Sequence, residues 1–284
     1  MDYILEVNDI SKSMNKFSLK DINFNLEHGY IMGLIGPNGS GKTTLINTIL
    51  GLYKADSGNI KICGHDCNID ESKAKGEIGF ILDENPFIDD VSAKDNARMY
   101  APYYKNWNME RFNYYCSRFQ IDTKTKLKKL SKGTIIKFQL AFALSHDAKL
   151  LVMDEPSSGL DPIFRRELVE IMYDEILGGD KSILFSTHLT EEIDMIADYV
   201  TMIHRGKLVF SQSKEELFEQ YRIIDGSSYN LSLLDPREIV GTRFTEHSAQ
   251  AMVYNGEYLT AQNIHTGVPT IEDIMYYITQ SVGR

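Results

Sequence analysis

The chain has 284 residues, 43% of them hydrophobic, and a formal net charge of −10. That length suits one large domain with an appendage, or two domains, at an ordinary hydrophobic content for a globular protein. The acidic balance argues against nucleic acid as the main partner, because phosphate backbones select a basic footprint; no apolar run reaches the roughly 18 residues of a membrane helix, and the three cysteines do not make a disulfide framework.

The N-terminal residues show no charged-then-apolar signal pattern. A cytoplasmic location is therefore expected unless a partner holds the chain at a membrane. Residues 30–35 (YIMGLI) are apolar and strand-like, and residues 43–52 (TTLINTILGL) have helical spacing. Between them Gly36-Pro37-Asn38-Gly39-Ser40-Gly41-Lys42-Thr43 fits G-x-x-x-x-G-K-[ST], the phosphate-binding loop. Gly36, Gly39 and Gly41 let the backbone wrap closely around an anion. The loop N–H groups and the helix N-terminus present partial positive charge, and the Asn38 and Ser40 positions belong to that cradle. Lys42 is expected to reach the outer phosphates, Thr43 to ligate Mg²⁺, and Thr44 to bond an inner phosphate.

Cys63-x-x-x-Cys67 encloses His65. No second ligand pair stands at zinc spacing, so reduced structural thiols are expected there and at Cys116. Residues 78–82 read as a core strand followed by Asp83 and Glu84. Asp83 is either a Mg²⁺ ligand or a solvent-facing acid. The segment up to Leu130 is helical and rich in aromatics: Tyr100, Tyr103, Tyr104, Trp107, Phe112, Tyr114, Tyr115 and Phe119. Some must be core, whereas interface cores also favour such residues. The run Lys124, Lys126, Lys128, Lys129 and Lys132 reads as a solvated face beside an anion site.

Leu130-Ser131-Lys132-Gly133-Thr134 opens a helical run, residues 135–145. Ser131 and Gly133 offer a hydroxyl and backbone N–H groups at that helix N-terminus. Residues 150–153 (LLVM) form a strand delivering Asp154-Glu155, the Walker-B arrangement. Asp154 would hold Mg²⁺, and Glu155 would polarise the attacking water as general base. Residues 182–186 form a strand that leads into Thr187-His188, so His188 should stand beside Glu155. The remaining histidines, His28, His65, His146, His204, His247 and His265, read as structural.

From about Tyr221 the pattern changes to short alternating runs, YNLSLL, QAMVYN and EYLTAQ, broken by Asp-Pro and Asn-Gly turns. The segment Thr270-Ile271-Glu272-Asp273 opens a capped amphipathic helix. This appendage carries no catalytic constellation.

The order P-loop, LSKGT, LLVMDEP, Ser158-Gly159-Leu160-Asp161 and Ser186-Thr187-His188 resembles the ATP-binding cassette family over about residues 3–220. The resemblance implies an α/β fold: a P-loop NTPase RecA-like core, an N-terminal antiparallel β subdomain, a helical signature subdomain at about 84–145, and a small C-terminal α+β accessory domain at 221–284. It implies ATP and Mg²⁺, with catalytic roles for Lys42, Glu155 and His188. It also implies a head-to-tail dimer in which Ser131 and Gly133 of one copy meet the γ-phosphate held by Lys42 of the other, with Asp161 crossing between copies. The family's usual LSGGQ departs here at Lys132 and Thr134, and its usual Gln stands here as Asp83. Its adenine-stacking aromatic falls at Met14, with Phe17 nearby; either contacts the base, or both are core.

In the family, the helical subdomain grips a membrane permease, and residues 100–107 are the expected contact. The wording GYIMGLIGPNGSGKTT, IGFILDENPF and SSGLDPIFRRE is similar to exporter ATPases of the YtrB, bacitracin-resistance and phenol-soluble-modulin kinds. A peptide or drug exporter ATPase at the cytoplasmic face of the membrane is the implied function. The alternatives are a cassette ATPase without a membrane partner and a nucleotide-dependent regulatory module.

Overall fold

The computed structural model describes residues 3–226, 231, 234–244, 249–254 and 266–281. Strands β1 (Tyr3–Met14) and β2 (Phe17–Glu27) pair antiparallel, and β3 (Ile31–Ile35) runs through the glycine loop into α1 (Lys42–Ile49). Next come β4 (Ser57–Ile62), β5 (His65–Asp66), α2 (Glu71–Gly76) and β6 (Ile78–Ile81). The helical segment supplies α3 (Ala93–Tyr100), α4 (Met109–Arg118) and α5 (Lys132–Ala143). The chain returns through β7 (Leu150–Asp154), α6 (Pro162–Ile176), β8 (Ser182–Ser186), α7 (Thr190–Ile196), β9 (Tyr199–His204), β10 (Lys207–Ser213) and α8 (Lys214–Gln220). Its last part holds β11 (Tyr221–Gly226), β12 (Ile239–Phe244), β13 (Ala249–Tyr254), β14 (Thr266–Gly267) and α9 (Ile271–Ser281).

The first ten strands form one sheet in the order β5-β4-β1-β2-β10-β9-β3-β8-β7-β6. The β9-β3-β8-β7-β6 stretch is parallel, and β5-β4-β1-β2 is antiparallel. Every residue of β3, β7 and β8 is buried, as strands covered on both faces must be. This is the α/β P-loop nucleotide-hydrolase fold with an antiparallel N-terminal β region.

Each helix of the inserted segment begins at a side chain that bonds its first free N–H groups. Ser92 caps α3, Asn108 caps α4, and Ser131 caps α5. Most aromatics of the insert pack inward. The Trp107 and Phe142 rings lie 4.8 Å apart and Tyr104 and Phe142 5.5 Å apart, while Phe112 is fully buried. Tyr103 and Tyr114 are exposed. Residues 100–107, the expected contact stretch, divide: the half-buried Tyr100, Tyr104 and Trp107 pack against the core, whereas Pro102, Tyr103, Lys105 and Asn106 are exposed.

The last four strands form a separate antiparallel sheet, β12-β13-β11-β14. The QAMVYN run is β13 as expected, and Thr270 caps α9 with Asp273 bonding back to the Thr270 N–H. The EYLTAQ run, His247 and His265 lie outside the described residues. So does most of YNLSLL, where Leu231 is helical rather than extended. The apolar cluster containing Ile223, Met252, Ile274 and Tyr277 also contains Ile193, Ile196 and Leu217. The C-terminal sheet and α9 therefore share core with α7. Among the described residues no helix is long and apolar enough to cross a membrane.

Phe138 is fully buried, with its ring 4.8 Å from that of Phe87. Replacing Phe138 with Ala leaves a cavity where α5 meets the insert. The expected loss is about 3–5 kcal/mol of stability, read from urea denaturation.

Candidate nucleotide-binding site

The site forms where strands β3, β7 and β8 end level. Leu34 and Asp154 are both in register with Ser186. The loops that follow therefore emerge at one edge of the sheet, where open α/β sheets bind ligands. A cavity of about 560 Å³ opens there, lined by Asn38 to Thr44, Met14, Phe17, Asp83, Glu155, Ser158 and His188. That volume suits a nucleotide-sized ligand.

The glycine loop owes its shape to crowding. A side chain at Gly36, whose φ is 151°, would strike the Ile203 carbonyl and sit 2.7 Å from Ser40 Oγ. At Gly41, φ 116°, it would lie 2.5 Å from the Phe17 ring. Gly36 itself stands behind the cavity, and its carbonyl accepts a 2.8 Å hydrogen bond from Lys42 Nζ. No acidic residue occupies the first turn of α1, so no carboxylate of the helix itself competes for its free N–H groups.

Two features fit a phosphate. Ser40 Oγ is buried and has no hydrogen-bond partner among the described residues. Lys42 is buried, and this burial lowers its pKa, against the opposing pull of Glu155 and Asp154. A buried ammonium and an orphaned hydroxyl are both relieved by an anion.

The acidic side is built by β8. Ser186 Oγ donates to Asp154 Oδ1 at 2.5 Å and accepts from the Glu155 N–H at 3.0 Å. Glu155 is held at φ 49°, a left-handed conformation that non-glycine residues adopt at some cost. Its carboxylate meets His188, with Oε2 to Nδ1 at 2.5 Å. Burial, foremost, holds the Asp154 carboxyl above its usual range; bonds from Ser186 and Thr43 oppose this, and Glu155 and Asp83 add to it. Hard oxygen donors in a buried, electron-rich cluster suit Mg²⁺. Thr43, Asp83, Asp154 and Glu155 line one adjoining cleft, so these residues fit the ion.

Met14 and Phe17 both line the cavity mouth: Met14 is exposed, and Phe17 is half-buried against the sheet core. Ser131, Gly133 and Asp161 do not line it. Ser131 caps α5 and bonds Thr134, while Asp161 caps α6 through the Ile163 and Phe164 N–H groups. A side chain at Gly133 would lie 2.7 Å from the Gly159 carbonyl, so that position is also set by close packing. Asp83 lies at the rim, ion-paired with Lys132.

Cys63, Cys67 and Cys116 are free thiols, pushed up to about 11, 11 and 12 by burial. Among the described residues, Cys63, His65 and Cys67 belong to no group of three or more histidine, cysteine and acidic side chains placed to hold a metal. His146 is buried between the Ile78 and Phe142 carbonyls. His28 is exposed, and His65 and His204 are half-buried away from the cavity.

Sequence reasoning missed four supports. Ser186 orders the acids, Ser158 lines the cavity, and buried Glu192 bonds Thr187 Oγ1 at 2.8 Å, beside His188. Buried Gln139 bonds both backbone groups of Leu82, at 2.7 and 3.0 Å, just before Asp83. Ser158 and Ser186 lay within quoted motifs; Glu192 and Gln139 carry no local signal.

Fold and cavity together define a P-loop nucleoside triphosphatase. Residues 19–158 match the ABC transporter family, and the chain belongs to the ATP-binding proteins of that family. It is accordingly an ATPase that binds ATP. It is 32% identical over 221 residues to the ABC transporter ATP-binding protein YtrB of Bacillus subtilis (strain 168), covering 77% of this chain and 75% of YtrB. It is 33% identical over 214 residues to the bacitracin transport ATP-binding protein BcrA of Bacillus licheniformis, covering 74% of this chain and 69% of BcrA. Its fold is similar to that of the ATP-binding cassette MJ0796, solved as a dimer bound to ADP and phosphate after hydrolysis. That match has a TM-score of 0.66 at 20% identity and covers 74% of this chain and 98% of the other.

Because the Asp154 pKa is raised in the folded state, its contribution to stability is complete below the usual carboxylate range and is lost as pH rises through the raised value. At neutral pH the ionised group therefore costs stability. Asp154→Asn should raise the melting temperature of the nucleotide-free chain at neutral pH by about 2–4 °C. The gain should vanish in acid, as scanning calorimetry across pH will read.

Proposed function

We propose that the chain is the ATP-hydrolysing subunit of a bacterial exporter that works through a separate membrane permease. Its cargo is an amphipathic or antimicrobial peptide or a related drug. The observation that carries the hydrolytic part is the convergence of the phosphate loop, Glu155 and His188 on one cavity. The name of BcrA, a bacitracin transport protein, supports the cargo class.

In this reading Lys42 and the loop N–H groups hold the β- and γ-phosphates of ATP, and Met14 and Phe17 face the base. Water attacks the γ-phosphate in line. Glu155 accepts its proton, and His188, already bonded to Glu155, orients the water and the departing phosphoryl group. Thr43, Asp154 and Asp83 would hold Mg²⁺, which would neutralise phosphate charge when bound.

Ser131 and Gly133 stand outside the chain's own cavity and present a helix N-terminus. They complete the cavity of a second copy in a head-to-tail sandwich, with Asp161 at the crossing between copies. The dimeric state of MJ0796 supports that assembly.

The permease contact is assigned to an apolar groove of about 160 Å³ lined by Leu52, Phe80, Leu82, Pro86 and Tyr104. It joins the end of α1 to β6, which ends two residues before Asp83. Closure of the dimer would move this groove, and the chain would then work peripherally at the cytoplasmic face of the membrane.

Glu155→Gln should lower steady-state phosphate release by about 100-fold or more and accumulate ATP-dependent dimers in light scattering. Equal turnover in wild type and variant would sink the role of Glu155, and persistent monomers would sink the sandwich. Tagged chain should recover one polytopic membrane protein from detergent-solubilised native membranes. Leu52→Glu, at a 57% exposed position, should abolish that recovery while nucleotide binding persists. Recovery of soluble partners alone would defeat the exporter reading.

A further inference from the structure

The cavity carries an unfavourable balance of fixed charge. Asp83 and Glu155 line it and Asp154 lies in the adjoining cleft, whereas among the described residues Lys42 is the only lysine in the lining. Lys42 already interacts with Glu155 and Asp154. A phosphate tail brings more negative charge to the same space, and like charges at such range oppose one another.

Lys132 offsets this imbalance from outside the lining. Its Nζ forms an ion pair with Asp83 Oδ1 and donates to Ser158 Oγ at 3.2 Å. Both partners line the cavity. Two neighbouring lysines, Lys126 and Lys128, pair instead with Asp90, at 3.6 and 2.5 Å. The Lys132 and Asp83 side chains are 49% and 43% exposed, so their pair adds little to folding stability. Asp83 and Lys132 are also two of the positions at which the chain departs from the family's usual motifs, and the fold brings them into contact.

We propose that Lys132 is a positioning residue for the nucleotide. It neutralises Asp83 and ties it to Ser158 at the rim, so that the cavity admits the phosphate tail of a nucleoside triphosphate. This inference rests on the cavity being the ATP site. The role belongs to Lys132 of the same chain and is separate from what Ser131 and Gly133 do toward a second copy.

The test is titration of the purified chain with a fluorescent ATP analogue in EDTA, so that no divalent ion and no turnover contribute. Lys132→Ala should weaken binding roughly three- to tenfold. Asp83→Asn added to Lys132→Ala should restore wild-type affinity within about twofold, because the charge to be neutralised is gone. Lys132→Arg should also retain it, and the Lys132→Ala defect should shrink as salt is raised. An unchanged affinity in Lys132→Ala, or a defect that persists undiminished in the double variant, overturns the proposal. Lys42→Ala separates the two levels. Lost binding there with an unaffected Lys132→Ala defeats the role of Lys132 alone, whereas unaffected binding in Lys42→Ala defeats the cavity as the ATP site. Unchanged melting temperatures for Lys132→Ala and the double variant tie any affinity change to charge rather than folding.

Discussion

Everything at the site depends on the register of three buried parallel strands. Because β3, β7 and β8 end level, Ser186 stands beside Asp154 on one side and Leu34 on the other. One hydroxyl then orders both acids, by donating to Asp154 and accepting from the Glu155 backbone. A one-residue slip in any of these strands would turn its side chains to the opposite face. Alternate residues of all three strands pack into two different apolar clusters, so each slip would exchange side chains fitted to one core with those fitted to the other.

The second constraint is electrostatic. The cavity gathers carboxylates around two buried charged groups, with Asp154 held above its usual range and Lys42 below its own. Such a cluster is poorly balanced in the free chain. An anion at Lys42 and the loop N–H groups, with a cation at the acids, would balance it. The positive φ at Glu155 belongs to the same account: local backbone cost is accepted so that its carboxylate faces His188.

Around this centre, the loops are tied to one another by packing rather than by sequence proximity. Gly133 fits against the Gly159 carbonyl, Gln139 holds Leu82, and Glu192 holds Thr187. The helical insert is therefore mechanically joined to the strand that ends at Asp83, and α7 is joined to the loop bearing His188. The final helix α9 packs on the C-terminal sheet and also contacts α7, the helix that follows His188. Aromatic residues that suggested an interface from their composition mostly fill the seam between α5 and the rest of the insert, because α3 and α4 are too short to bury a core of their own.

The sequence by itself determined the phosphate loop, the Asp154-Glu155 strand end and the His188 position, because each is a local pattern whose chemistry follows from spacing within a strand-loop-helix unit. It also determined the capped final helix and the existence of a strand at residues 249–254. Tertiary structure alone decided that Lys132 meets Asp83, that Ser131 and Gly133 lie outside their own cavity, and which aromatic rings are buried. The physical reason is range. Backbone conformation and capping are fixed by neighbours a few residues apart, whereas an ion pair across 49 residues or a buried glutamine across 57 exists only once the sheet has set the distance between their elements.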